Sequence, residues 1–166
     1  MSYATLTTLA TELASGARSS RSLAEDCLAR IEEPSGEGQR AFVHVQREAV
    51  LAQASAMDAL RSSGVAPSAY AGIPISIKDL FDVAGQVTRC GSVVLADRPA
   101  AREDAACVAR LRRAGFVLIG RTNMTEFAYS GLGLNPHYGT PLNPWNRAQR
   151  HIPGGSSSGA ALGSMD

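Results

Sequence analysis

The sequence predicts an α/β fold with helices packed on a sheet, and three observations carry that expectation. Residues 104–115 repeat apolar side chains at helical spacing and run directly into Phe116-Val117-Leu118-Ile119, an apolar run of the kind that forms a fully buried strand. Ile73, Ile75 and Ile77 alternate with Pro74, Ser76 and Lys78, the two-residue period of a strand with two different faces. The first sixty or so positions show helical periodicity instead. At 166 residues, 45% hydrophobic and 19% charged, the chain suits one domain with a packed core.

Leu6, Leu9 and Leu13 share a helical face, and Gly16 follows as a left-handed stop. Ser22-Leu23-Ala24-Glu25 reads as a capping box, with Leu23, Cys27, Leu28 and Ile31 continuing an apolar face toward Pro34. Residues 34–40 are polar and Gly-containing, which predicts a loop, and residues 41–45 a short strand. An Ala-rich helix over 47–61 should close at Gly64. Asp104 is expected to cap a helix with Cys107, Val108 and Leu111 inward, ending at Gly115. Beyond Ser130, Gly, Pro and Asn predict ordered loop, in which Trp145 packs rather than binds. The expected division is a helical region over 1–64 and a sheet region over 65–166.

Charge and cysteine usage exclude several functions. A net charge of +1 gives no electrostatic case for direct nucleic-acid binding or an acidic membrane surface. Three cysteines without C-x-x-C spacing favour reduced thiols and a cytoplasmic protein. No apolar run approaches a membrane span, and Met1-Ser2-Tyr3-Ala4 lacks a basic leader region. His44, His137 and His151 are scattered, so neither a metal nor a cofactor is expected.

The chemistry centres on one residue. The sequence holds fifteen arginines and a single lysine, Lys78, set among isoleucines. Lysine loses its proton when desolvated and arginine does not, so a buried amine here is a candidate general base. The segment alone leaves the alternative open, a strand-end lysine that snorkels to water. Ser76 stands two residues away, and S-x-K does not give the one-turn spacing of an S-x-x-K dyad. A serine partner must come from elsewhere, and the Gly/Ser run Pro153-Gly154-Gly155-Ser156-Ser157-Ser158-Gly159 offers one. On its own that run also suits a linker. Asp79 is expected to pair with a backbone amide or a nearby arginine rather than to act in catalysis, and Asp82 carries no assigned role.

Four segments together resemble the amidase signature family. They are Gly72-Ile73-Pro74-Ile75-Ser76-Ile77-Lys78-Asp79, Gly120-Arg121-Thr122-Asn123-Met124-Thr125-Glu126-Phe127-Ala128, Tyr138-Gly139-Thr140-Pro141 with Asn143-Pro144-Trp145-Asn146, and the Gly/Ser run. The resemblance implies a central mixed β-sheet covered by helices and a Ser–cis-Ser–Lys triad that hydrolyses carboxamides. By motif position Lys78 is the base and Ser156 the bridging serine, preceded by a cis peptide bond. Gly154, Gly155, Asn123, Met124 and Phe127 fall in segments that line the substrate site, although Met124 and Phe127 at i, i+3 equally suit a core helix turn.

The family places its nucleophilic serine further along, in a D-x-G-G-S-like segment whose glycine amides form the oxyanion hole. No such segment follows Ser156 here, and Ser164 does not stand where it should. The expectation is therefore the N-terminal part of a single amidase domain, a truncated fold with two of three triad residues, inactive alone and prone to self-association through an unpaired sheet edge. The expected partner is a small carboxamide substrate, and a homodimer of the full-length protein is among the assemblies allowed. Two alternatives stay open. One is a non-catalytic fragment that binds an amide-like ligand or a partner chain. The other is the A subunit of a glutamine-dependent tRNA amidotransferase, although Thr122-Asn123-Met124-Thr125-Glu126-Phe127 fits stand-alone amidases better.

Overall fold

The computed structural model describes residues 4–163. Ser164, which does not stand where the family's nucleophile should, lies outside the described residues. Helix α1, Leu6–Ser15, starts where Thr5 Oγ1 accepts from the Thr8 N–H at 3.1 Å and stops at Gly16 in a left-handed turn, φ 73°. Helix α2, Ser20–Glu32, begins one turn before the expected capping box. Ser19 is the cap: its hydroxyl accepts from Ser22 N at 2.9 Å, and Ser19 N donates to Ser22 Oγ at 3.2 Å. Glu25, assigned to that box from the sequence, pairs instead with Arg21 at 2.9 Å. A serine hydroxyl at the third helical position serves the cap as well as a carboxylate would, and that shifts the register by three.

Residues 34–40, expected as loop, include the start of a short helix α3, Gly38–Ala41. A side chain at Gly38 would collide with the Ile31 backbone, so the turn lies directly on the end of α2. Strand β1 is Phe42–His44, and helix α4, Arg47–Ser62, is followed by Gly64 at φ 76°. Leu23, Ala24 and Leu28 of α2 are buried; Ala24 and Leu28 pack with Val50, Leu51 and Ala54 of α4. That layer covers Val117 and Ile119 of strand β3, Val117–Thr122. Leu28 is fully buried at the centre of the cluster, and Leu28→Ala is expected to cost about 2–5 kcal/mol, read as a shift in the denaturant midpoint.

Strand β2, Pro74–Lys78, lies parallel to β3, and β1 lies antiparallel on β3's other side, giving a mixed sheet in the order β1-β3-β2. No strand pairs with the outer edge of β2 among the described residues. Helix α5, Ala106–Arg113, makes the crossover between the parallel strands and presents Val108 to a cluster with Ile77, Val83 and Leu118. The register slips between Ile75 and Ser76, then brings Ile77 opposite Arg121 and Lys78 opposite Thr122. Alternation puts Ile77, Asp79 and Arg121 on one face and Lys78 with Thr122 on the other. Ile73 and Ile77 are buried as expected, and Ile75 only half so.

Three expectations are corrected here. Asp104 does not cap α5; its carboxylate accepts from Ala84 N at 2.7 Å and pairs with Arg112 at 2.8 Å, while Ala105 begins the helix without a side-chain cap. Cys107 is exposed, because the face that carries Val108 and Leu111 inward turns position 107 away from the sheet. Trp145 does not pack: it is 85% exposed in a 3₁₀ turn, Pro144–Gln149. The Gly/Ser run leads into a six-residue helix α6, Ser158–Gly163. Among the described residues no helix is long and apolar enough to cross a membrane.

Candidate active site

Lys78 ends β2 half-buried, and its Nζ donates a hydrogen bond to Ser156 Oγ at 2.7 Å. The two residues stand 78 positions apart and meet because the Gly/Ser run folds over the end of the sheet. Burial pushes the Lys78 amine below the ordinary lysine range, since the charged form loses hydration.

Several backbone contacts fix the Gly/Ser run. The Gly155–Ser156 peptide is cis, as the resemblance implies. The Ser156 carbonyl accepts from Thr125 N at 2.9 Å, Gly155 N donates to the Gly131 carbonyl at 2.7 Å, and Gly159 N donates to the Asn123 carbonyl at 3.0 Å. Gly155 is needed for close approach: a Cβ there would lie 2.6 Å from Gly133 N and 2.7 Å from its Cα. Gly154 is needed for a different reason, a φ of 82° that side chains rarely adopt.

The segment after β3 carries the other sequence-picked residues. Asn123 is fully buried and its amide is spent on backbone: Nδ2 donates to the Arg40 and Gly139 carbonyls at 2.8 Å each, and Oδ1 accepts from Met124 N at 2.8 Å. Met124 is fully buried, whereas Phe127 is 53% exposed with φ 51°. The chain therefore turns outward between them. Asn123 holds that turn, and Phe127 is the member of the set that reaches solvent.

Two supporting residues were not singled out by sequence. Arg121, 2% exposed, donates from Nε to Asp79 Oδ1 at 2.7 Å and from Nη2 to the Phe81 carbonyl at 2.9 Å. Asp79 also accepts from Gly91 N at 3.0 Å, so both partners expected for it are present. Asn135 donates to the Gly91 and Met124 carbonyls at 2.8 and 2.7 Å. The Asn-Pro step at 135–136 was the available signal, since such a pair marks a turn whose amide bonds nearby backbone. Asp82 accepts from Thr88 Oγ1 at 2.7 Å.

Around the Lys78–Ser156 pair, the hydroxyls of Thr122, Thr125 and Ser158 are buried without a hydrogen-bond partner. A cavity of about 510 Å³, lined by Phe42, Pro74, Ser76 and Leu162 among others, lies beside β2 and does not include Lys78 or Ser156. The hydrogen-bonded pair is the better guide to chemistry, because it sets an amine of lowered pKa directly against a hydroxyl, whereas the void carries Cys27, Arg30, Glu33 and Glu37 away from that pair. Among the described residues no three His, Cys, Asp or Glu side chains gather to hold a metal.

The Lys78 amine has a sign-defined effect on stability. A lysine whose folded pKa is depressed binds fewer protons folded than unfolded, so it destabilises the fold below its folded pKa and less so as pH rises toward the unfolded value. Lys78→Met is expected to raise stability at neutral pH and to narrow its advantage over the parent chain between the two pKa values. Urea midpoints of both chains across alkaline pH check this, and the comparison subtracts other alkaline-titrating groups.

Comparison with known proteins places the chain in a family. The sequence is 44% identical to the A subunit of the Glutamyl-tRNA(Gln) amidotransferase of Chromohalobacter salexigens, over 95% of this chain and 31% of that one. The chain thus spans about a third of the length of the curated relatives it matches. Among solved structures, one described as a vestigial protein complex bearing on the origins of an s-triazine catabolic enzyme superposes with TM-score 0.85 and 39% identity, covering 94% of this chain and 35% of that one. The native peptide amidase of Stenotrophomonas maltophilia superposes with TM-score 0.81 and 32% identity, covering 93% and 32%. Residues 22–162 match the family model described as Amidase, and the chain belongs to that family, the amidase signature enzymes.

Proposed function

We propose that these residues form the base-and-relay part of a carboxamide hydrolase, in which Lys78 is the general base and Ser156 the bridging serine. The observation that carries this reading is the 2.7 Å hydrogen bond between Lys78 Nζ and Ser156 Oγ, with burial lowering the amine's pKa. A neutral Lys78 takes a proton from Ser156, which takes one from a nucleophilic serine in a D-x-G-G-S segment outside these 166 residues. Run backwards, the relay delivers a proton to the leaving amine. The acyl group passes through an ester on the nucleophile, which divides one difficult hydrolysis into two steps. Gly154 and Gly155 leave the approach to Ser156 clear of side chains, and Phe127 borders the acyl side.

A second reading, an amidotransferase component that draws ammonia from glutamine, is favoured by the identity to the Chromohalobacter salexigens protein. One experiment separates the readings. Residues 1–162 are fused to the matching remainder of that relative, and ammonia release is measured from simple and aryl carboxamides and from glutamine. Turnover of simple amides without partner proteins supports the first reading, and glutamine turnover alone supports the second. A well-folded fusion that turns over none contradicts both and leaves the binding fragment.

A further inference from the structure

We propose that Ser156 is itself a nucleophile in this chain: with Lys78 it makes a serine–lysine dyad that accepts an acyl group from activated carboxylic esters. This rests on Lys78 acting as a base, and goes beyond the relay role given to Ser156 above. Among the described residues Lys78 Nζ has one hydrogen-bond partner, the Ser156 hydroxyl at 2.7 Å, which is the contact a base needs to take that proton directly. Ser156 is half-buried and the neighbouring Gly155 is exposed, so an acyl donor reaches the hydroxyl from solvent.

Two unpaired hydroxyls lie close by. Thr125 Oγ1 is 3.0 Å from where a Cβ on Gly155 would sit, and Ser158 Oγ follows two residues after Ser156. Both are buried without a hydrogen-bond partner, so each keeps a donor uncommitted to the protein.

The leaving group decides the substrate class. As Ser156 Oγ bonds to the acyl carbon, its proton passes to Lys78 Nζ, the ester C–O bond breaks, and the oxygen departs with the bonding pair. An aryloxide leaves without a proton, so one base suffices. An amine must be protonated as it leaves, and with Ser156 consumed as nucleophile that proton has to come from the Lys78 ammonium itself, which must reach the leaving nitrogen as well as Ser156 Oγ. The dyad should therefore be acylated much faster by aryl esters than by anilides. The products are acyl-Ser156, an aryloxide and a Lys78 ammonium that returns its proton to solvent.

The test treats the 166-residue chain with p-nitrophenyl acetate, follows p-nitrophenolate release, and maps the acetyl group on acid-quenched peptides. One acetyl per chain is expected, on Ser156, as an ester cleaved by hydroxylamine. Lys78→Met should slow its formation by about 100-fold or more, and p-nitroacetanilide should react far more slowly than the ester. An acetyl found from the earliest times on Lys78, Ser157 or Ser158, or an equal rate in Lys78→Met, overturns the proposal. Mapping on the unaltered chain decides the first point even where a variant folds poorly. Failed acetylation with the Lys78 amine still titrating low removes the nucleophile role alone; an ordinary lysine titration removes the base role as well.

Discussion

Arginine at position 78 is expected to abolish amide hydrolysis in a fusion of this chain to the remainder of a relative, although the positive charge is kept. A guanidinium stays protonated at any pH a protein survives, so it can donate to Ser156 Oγ but never take its proton. Lost general-base catalysis typically lowers turnover by about 10²–10⁴-fold. The site also accommodates the change poorly, since Lys78 reaches Ser156 with a single Nζ at 2.7 Å and a planar fork would displace the Gly/Ser run. Steady-state kinetics of the parent and variant fusions check this. Near-normal turnover with arginine would remove Lys78 from the mechanism.

The largest expected effect on stability comes from Arg121→Met. Asp79 is fully buried and Arg121 is 2% exposed, and the pair ties the end of β2 to β3 and to the Gly91 turn. Removing the guanidinium leaves a carboxylate in the interior with no counter-charge. Breaking one partner of a buried ion pair costs about 3–5 kcal/mol, which in a domain of this size lowers the melting temperature on the order of 10 °C. Adding Asp79→Asn to the same chain should restore much of the loss, because the stranded charge is gone. Calorimetry of the single and double variants measures both. A loss under about 1 kcal/mol in Arg121→Met would show that the pair contributes little.

The elements legible in the sequence were those whose signals are local. Leucines at helical spacing followed by Gly16, and the apolar run after Gly115, each specify structure through neighbours a few residues away, and both hold in the structure. The caps show where local reading fails. Serines at 19, 20 and 22 offer competing registers, and the choice is made by which hydroxyl meets which amide once the chain bends. Asp104 looks like a cap until Ala84 and Arg112, both remote from the amides it would cap, compete for its carboxylate. Trp145 shows a third limit, since an aromatic side chain in a Pro- and Asn-rich loop packs only if tertiary structure brings a surface to it.

The candidate site was legible in an uneven way. A lone lysine in an arginine-rich chain identified one member from composition. Its partner, 78 residues away, followed from the family resemblance and not from spacing. Thr122 and Arg121 gave no signal, because their places opposite Lys78 and Ile77 depend on a register that slips by one residue at Ile75.

Every role proposed for this site depends on a Lys78 amine that sits beside Ser156 in surroundings that favour its neutral form. Because the chain has a single lysine, selective ¹³C-lysine labelling gives one side-chain resonance, and its pH titration reads that amine alone. A midpoint clearly below the ordinary lysine value of about 10.4 is expected. A midpoint at or above that value would show an amine that stays charged, and no base would then stand beside Ser156.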